Sequence, residues 1–227
     1  MNPTRFGLTA YAAAATFPLA FNAHAALVIQ QDVGQNYIAW EAESGDPVIG
    51  VDGPRSWSVD TDSVVATGPA GSAGAGNIAS ITWTLEITNA PAVDDWNLFV
   101  LGGATDSDGV GGSGGHNSFF SPDDFNLPSG SADVSEFDNG SGFNNITWRT
   151  AFDAVEASTF GNGSTVTFTF QFREPGYLID RIVLSPDSLS SSQLDALTNS
   201  AIVPEPASLV LAATGLGLLV VRRHRRG

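Results

Sequence analysis

The chain has 227 residues, 24 of them acidic and nine basic, and its formal net charge at pH 7 is −15. Such an acidic chain argues against nucleic acid or anionic lipid as a partner, because both repel negative charge. The absence of cysteine excludes a disulfide framework. A zinc site has little support, because His116 is the one histidine between residues 26 and 202.

Residues 1–25 have the features of a secretory signal peptide. Arg5 supplies a positive charge, residues 8–21 form an apolar, alanine-rich stretch, and the Ala-His-Ala sequence at 23–25 matches a signal peptidase site. We therefore expect an exported protein whose mature chain begins at Ala26.

The body of the chain, residues 26–202, is long enough for one domain with a sizeable core. It has four arginines, no lysine and 23 acidic residues, so its formal charge is −19. This balance favours solubility and divalent cations.

Alternating apolar residues dominate the body, a pattern typical of strands with one buried face. In chain order, the predicted strands are 27–30, 38–42, 81–87, 96–101, 146–150, 166–172 and 177–184. Loops rich in Gly, Ala or Asn separate them, notably 67–77 and 104–117. Many short strands with polar turns predict an all-β sandwich over residues 26–187.

A short helical pattern follows the last predicted strand. Residues 189–197 predict a helix that is either a cap on the domain or a stalk, so residues 188–202 would connect the sandwich to the C-terminal tail.

The last 25 residues begin with the motif Val-Pro-Glu-Pro at 203–206, continue with uncharged residues 207–221 and end in a cluster with four arginines. Fifteen residues make a helix about 22 Å long, shorter than a hydrocarbon core of about 30 Å. The segment therefore suits transient anchoring, with the arginine cluster in the cytoplasm and the body outside. The alternative is an ordinary, permanent C-terminal anchor.

This order resembles the PEP-CTERM sorting signal of Gram-negative bacteria. The resemblance implies that Pro204, Glu205, Pro206, Arg222 and Arg223 are read by exosortase, a membrane protease that removes the tail. It also implies transient contact with the inner membrane and a destination at the cell surface or in the extracellular matrix.

Three segments of the body, at 39–45, 117–120 and 173–184, carry a second resemblance. The first reads Ala-Trp-Glu-Ala-Glu-Ser-Gly, the second reads Asn-Ser-Phe-Phe, and the third leads from a glycine-containing turn into Tyr-Leu-Ile-Asp-Arg-Ile. They resemble the opening, middle and closing parts of carbohydrate-binding modules of families 6 and 35. The resemblance implies a galactose-binding-like jelly-roll β-sandwich.

In those modules the opening and closing strands lie side by side and supply acidic ligands to a structural calcium ion. The resemblance therefore implies Glu41, Glu43 and Asp180 as ligands of Ca²⁺. The residues are suited to this role, because the two glutamates share one face of a strand and Asp180 interrupts an apolar strand, where a carboxylate needs a partner. The alternative is that Asp180 pairs with Arg173 or Arg181 and the glutamates are solvated.

The same modules bind glycans by stacking a sugar on an aromatic ring. The resemblance makes Tyr177, in the turn before the closing strand, the first candidate platform. Trp148 and Trp57 lie in polar surroundings and are further candidates. The alternative for each tryptophan is a place in the core, where large aromatic side chains usually pack.

The favoured function is non-catalytic binding of extracellular polysaccharide, with calcium as a structural ion. Two alternatives stay open: a matrix scaffold without a discrete sugar site, and a polysaccharide-acting enzyme that uses a pair of carboxylates. A Ser-His-Asp site has little support, because His116 lies in a glycine-rich loop with no nucleophile elbow nearby.

Overall fold

The computed structural model of the protein describes residues 27–69, 71–89, 95–104, 118–138, 146–151, 154–156 and 162–204. The predicted signal peptide, the loop around His116 and the tail from Glu205 to the arginine cluster of Arg222 and Arg223 lie outside these residues. Within the described ranges, no helix is long and apolar enough to cross a membrane.

The described residues form short strands and one helix. The strands are β1 Leu27–Gln30, β2 Ile38–Glu41, β3 Val48–Gly50, β4 Ser56–Val59, β5 Val64–Thr67, β6 Ser80–Ile87, β7 Asp95–Ala104, β8 Ser118–Pro122, β9 Val134–Asp138, β10 Thr147–Thr150, β11 Val155–Glu156, β12 Ser164–Gln171, β13 Tyr177–Ser185 and β14 Ala201–Pro204. The helix, α1, spans Ser191–Ala196 between β13 and β14.

The strands form two sheets. In the first sheet the order is β14-β1-β6-β12-β8-β9, with β3 also paired to β6. In the second the order is β10-β7-β13-β5-β4, with β11 paired to β7 and β2 paired to β13. Most neighbours are antiparallel, and β1 beside β6 is a parallel pair. The prediction of an all-β sandwich is therefore confirmed.

The core lies between the two sheets and is built by alternation along each strand. On β6, Ile81, Trp83 and Leu85 are buried, while the threonines between them are partly exposed. On β12, Phe168 and Phe170 face the same core. Aromatic rings contribute much of its volume, because each buries a large area and edge-to-face contacts add to its stability.

Phe119 lies at the centre of this aromatic core. Its ring stacks on Phe137 with centroids 4.6 Å apart, and it contacts Phe170 at 4.5 Å and Tyr177 at 4.9 Å. Because its neighbours belong to β9, β12 and β13, this one side chain connects the two sheets.

The predicted connection at 188–202 is a cap on the sandwich rather than a free stalk. Leu194 of α1 is buried against Phe99 and Val183, on the outer face of the second sheet. The chain then crosses to the first sheet, where β14 pairs with β1. The sandwich therefore extends to Pro204, beyond the predicted boundary at 187.

We expect Phe119→Ala to destabilise the domain by about 3–5 kcal/mol, because it leaves a cavity between the sheets. The measurement is urea denaturation followed by tryptophan fluorescence. Phe120→Ala is the control, since Phe120 is buried outside this core cluster, with Arg173 over its ring at 6.0 Å. The loss of unfolding free energy should be smaller for Phe120→Ala than for Phe119→Ala. Equal losses would contradict a central role for Phe119.

Candidate functional site

The two segments expected to lie side by side are neighbours in the second sheet. Strand β2 pairs antiparallel with β13, and Glu41 lies directly opposite Arg181. The register of β13 against β7 shifts between Ile179 and Arg181, so Asp180 occupies a β-bulge. Its backbone carbonyl accepts a hydrogen bond of 2.8 Å from the Ala42 N–H. This pairing brings the three predicted calcium ligands to one corner of the sheet.

Glu41 is held by two partners at this corner. Its Oε1 accepts a hydrogen bond of 2.7 Å from the Asn199 side-chain amide. The same oxygen lies 3.6 Å from Nε of Arg181. The ion pair of Arg181 is thus with Glu41, and the arginine also donates to the Leu197 carbonyl at 2.7 Å.

Arg173, the other expected partner of Asp180, belongs to a different network. Its guanidinium lies 2.8 Å from Glu174 and 3.0 Å from Glu136. Glu174 is 2% exposed and also accepts hydrogen bonds from Ser72 at 2.8 Å and Ser118 at 2.6 Å. A buried carboxylate is tolerated only when it is paired in this way. The network fastens the turn before β13 to β8 and β9.

Glu43 and Asp180 are in an unfavourable environment for negative charge. Burial is the main cause that raises the pKa of Glu43. A hydrogen bond from its backbone opposes this rise, and Glu41, Asp180 and Asp62 add to it. Burial likewise raises the pKa of Asp180, with Glu41 and Asp62 adding to the effect and Arg181 opposing it. The four carboxyl groups therefore repel one another, and a cation would relieve that repulsion.

Two features of this corner suit a cation. One is its negative charge, and the other is a carboxylate oxygen that has no hydrogen-bond partner. Oε2 of Glu43 is buried and has no hydrogen-bond partner, which is costly for a carboxylate. Among the residues that the structure describes, however, no three His, Cys, Asp or Glu side chains are grouped closely enough to hold a metal ion as they stand. Ion binding would require these side chains to rotate toward one another.

Two of the three predicted aromatic platforms are in the core. Tyr177 is fully buried and Trp57 is 3% exposed, and both rings contact Phe119. The expectation that either ring offers an exposed face to a sugar is therefore wrong. The turn before β13 points its tyrosine between the sheets, because this residue begins the inward-facing alternation of the strand.

Trp148 is half-buried on the outer face of the second sheet. It packs against the cluster of Phe99, Val183 and Leu194, and its indole N–H donates to Asp195 of α1 at 2.6 Å. Its visible role is to hold α1 on the sheet. A role in stacking a sugar stays a prediction that uses the remaining exposed part of the ring.

The structure also contains an open polar cleft that the sequence patterns do not predict. It has a volume of about 360 Å³ and is lined by Asp95, Asp123, Ser135, Ala154 and Glu156. Four different elements place these residues: the first residue of β7, the segment after β8, strand β9, and β11 with the residue before it.

Backbone pairing fixes the geometry of the cleft. Asp95 and Glu156 are directly opposite each other on β7 and β11. The Glu156 N–H donates to the Asp123 carbonyl at 2.9 Å. The cleft thus gathers three carboxylates and a hydroxyl, an arrangement able to accept hydrogen bonds from several donors on one ligand.

Comparison with known proteins identifies the tail. The model of the PEP-CTERM protein-sorting motif family matches residues 203–226, which confirms the predicted sorting signal. Among solved structures, the chain is similar to the crystal structure of a Podospora anserina GH26-CBM35 beta-(1,4)-mannanase, with a TM-score of 0.40 and 17% sequence identity. The similarity covers 68% of this chain and 28% of that one, so the chain spans less than a third of the mannanase. No curated protein matches the chain.

We call the group of Glu41, Glu43, Asp62 and Asp180 the acidic corner. Removal of a negative charge from this corner should stabilise the domain. In chelator at pH 7, we expect Asp180→Asn to raise the melting temperature, because burial and the nearby Glu41 and Asp62 raise the pKa of this carboxyl and disfavour its charged form in the folded state. Ionisation of Asp180 lowers the stability of the wild type as pH rises through the raised pKa. This stability returns as pH falls. The two proteins should therefore converge below the ordinary value of 3.8.

Thermal unfolding at several pH values measures this difference. Asp133→Asn removes the same charge from an exposed position and controls for the general acidity of the domain. Destabilisation by Asp180→Asn in chelator at pH 7 would show that the carboxylate is favourably paired.

Proposed function

We propose that this protein binds extracellular polysaccharide without cleaving it, at the open cleft lined by Asp95, Asp123, Ser135 and Glu156. The sorting motif implies exosortase-dependent export and transient anchoring at the membrane. A protein with that route meets the polymers outside the cell, and we place its final location at the cell surface or in the extracellular matrix. The cleft is the observation that carries the binding function.

The chemistry of the cleft suits a sugar. Carboxylate oxygens accept charge-assisted hydrogen bonds, which are about twice as strong as neutral ones. Sugar rings present neighbouring hydroxyl donors, and Asp95 and Glu156 lie directly opposite each other, so they can accept from hydroxyls on one ring. The volume of about 360 Å³ is within the usual range of about 300–1,000 Å³ for small-molecule sites and accommodates one or two sugar units.

Charge narrows the class of glycan. The body carries a formal charge of −19, and three carboxylates line the cleft itself. Anionic polysaccharides would be repelled both during approach and in the site. The preferred ligands are therefore neutral glycans, or glycans with amino groups.

We also propose a structural calcium ion at the acidic corner, with Glu43 and Asp180 as its central ligands and Glu41 as the third. The buried, unpaired oxygen of Glu43 supports this assignment. So do the raised pKa values of Glu43 and Asp180, to which Asp62 contributes. Calcium accepts six to eight oxygen ligands in a flexible shell, so carbonyl groups and water would complete it.

Affinity electrophoresis tests the cleft. Wild type should migrate more slowly in gels that contain a neutral or amino-bearing polysaccharide than in gels without it. Asp95→Asn and Asp123→Asn should each weaken binding about tenfold, as expected for the loss of one charge-assisted hydrogen bond. Trp148→Phe, measured alongside, shows whether the exposed part of that ring adds to binding.

Asp60→Asn is the matched control, because it removes one negative charge from an exposed residue after β4. Equal retardation of wild type and both cleft variants would reject the cleft as the binding site. Absence of retardation on every polysaccharide would favour the scaffold role. Release of reducing ends by wild type would show catalysis, and the carboxylates of the cleft would then be examined as acid and base.

Calcium addition tests the acidic corner. An ion that binds only the folded state stabilises it by RT ln(1 + [L]/Kd), about 2.7 kcal/mol at 100 times Kd. Calcium should therefore raise the melting temperature of wild type above its value in chelator, and Asp180→Asn should abolish that response. Asp123→Asn is the control and should respond like wild type. Identical melting curves of wild type with calcium and with chelator would reject the site.

A further inference from the structure

The segment that leads into the sorting motif, and includes its first residues Val203 and Pro204, is bound closely to the domain. We call residues 186–204 the C-terminal strap. It leaves the second sheet after β13, crosses the outer face of that sheet through α1, and ends in the first sheet as β14. The strap thus connects both sheets immediately before the tail that exosortase reads.

Its first attachment is to the outer face of the second sheet. Leu194 is 2% exposed and packs on Phe99 and Val183. The carbonyl of Leu197, at the end of α1, accepts a hydrogen bond of 2.7 Å from Arg181. An arginine at this place satisfies carbonyl groups that a helix end leaves unpaired.

Its second attachment is to β2 and the residues before it. The Ser200 N–H donates to the Ala39 carbonyl at 2.7 Å, and the Ser200 hydroxyl accepts from the Ala39 N–H at 3.2 Å. The Thr198 and Tyr37 hydroxyls form a hydrogen bond of 3.2 Å. The residues of the strap between α1 and β14 are therefore held against the domain by hydrogen bonds.

Its third attachment places Val203 and Pro204, the first two residues of the matched sorting region, in a sheet. Strand β14 pairs with β1 from Gln30↔Ala201 to Leu27↔Pro204. Pro204 is the first proline of the Pro-Glu-Pro motif and also the last residue of β14. Ala26, the expected first residue of the mature chain, directly precedes β1. Leu27 and Pro204, the first and last residues that the structure describes, are therefore register partners on β1 and β14.

We propose that the folded strap restrains tail removal, and that β14 must detach from β1 before the sorting motif can enter the protease. Extended peptides are commonly bound by main-chain pairing along a strand, and one edge of β14 is already paired with β1. Strand β14 is short, lies at the edge of its sheet and is mostly exposed, so it can open without unfolding the core. This inference rests on exosortase processing and is independent of the glycan proposal.

A reversible crosslink provides the direct test. Val28 and Val203 are directly opposite each other on β1 and β14, at a separation typical of disulfides. The chain has no other cysteine, so the double variant Val28→Cys with Val203→Cys forms one defined bond. Full-length protein is made in cells that contain the exosortase, and tail loss is followed by immunoblot and mass spectrometry.

The oxidised double variant should lose its tail several-fold more slowly than wild type, and a mild reductant should restore the wild-type rate. Each single variant is a control for the substitution itself. Thiol alkylation shows whether the bond has formed. Equal rates for the oxidised variant and wild type would overturn the proposal, because the motif would then be read before folding or without release of β14.

A loosened strap tests the opposite direction without a crosslink. Leu194→Ala removes the buried side chain of α1 and should speed hydrogen exchange of the β14 amides about tenfold or more, with faster tail loss. Leu98→Ala is the matched control, because Leu98 is fully buried in the main core, between the sheets. Equal acceleration by both variants would assign the effect to general unfolding and would also overturn the proposal. A wild-type tail that is never removed would instead contradict exosortase processing.

Discussion

The pairing of strand β13 with three other strands is the constraint on which the rest of the structure depends. Strand β13 pairs with β7 on one side and with β2 and β5 on the other, so three strands lose their partner if it moves. Tyr177 and Ile179 face the core before the bulge, whereas Ile182 and Leu184 face it afterwards. The inward side thus changes from odd to even residue numbers within the strand. This shift turns both Asp180 and Arg181 away from the core, as β-bulges commonly do for side chains near a site.

The bulge explains why charge collects at this corner without unfolding it. Regular alternation would direct Arg181 between the sheets, where an isolated ion is very costly. Instead, Arg181 reaches Glu41 and the end of α1. Burial, together with Glu41 and Asp62, raises the pKa of Asp180. The Arg181 guanidinium therefore interacts both with the carboxylate of Glu41 and with the end of α1. The repulsion that it leaves uncompensated is what a bound metal ion would remove.

Sequence patterns predicted most of the long strands because each has one continuously buried face. Strands β6, β12 and β13 agree closely with the predicted 81–87, 166–172 and 177–184. The short hairpin β4–β5 and the pair β8–β9 were missed, since four or five residues show little periodicity. Tyr177 was misplaced because a turn position does not reveal which face the next strand buries. The residues that line the cleft come from distant parts of the chain. Local sequence patterns do not indicate which distant residues lie close together in the fold.

Glu41 connects the acidic corner to the C-terminal strap. Its Oε1 accepts from Asn199, which lies between α1 and β14. A calcium ion that draws Glu41 toward Glu43 would compete with Asn199 and Arg181 for the same carboxylate. Loss of those hydrogen bonds would weaken the strap near the point where it enters β14, and a tightly bound strap would in turn weaken calcium binding, because such coupling is reciprocal. Under the calcium and strap proposals, Glu41 would thus link the ion content of the surroundings to the accessibility of the sorting motif.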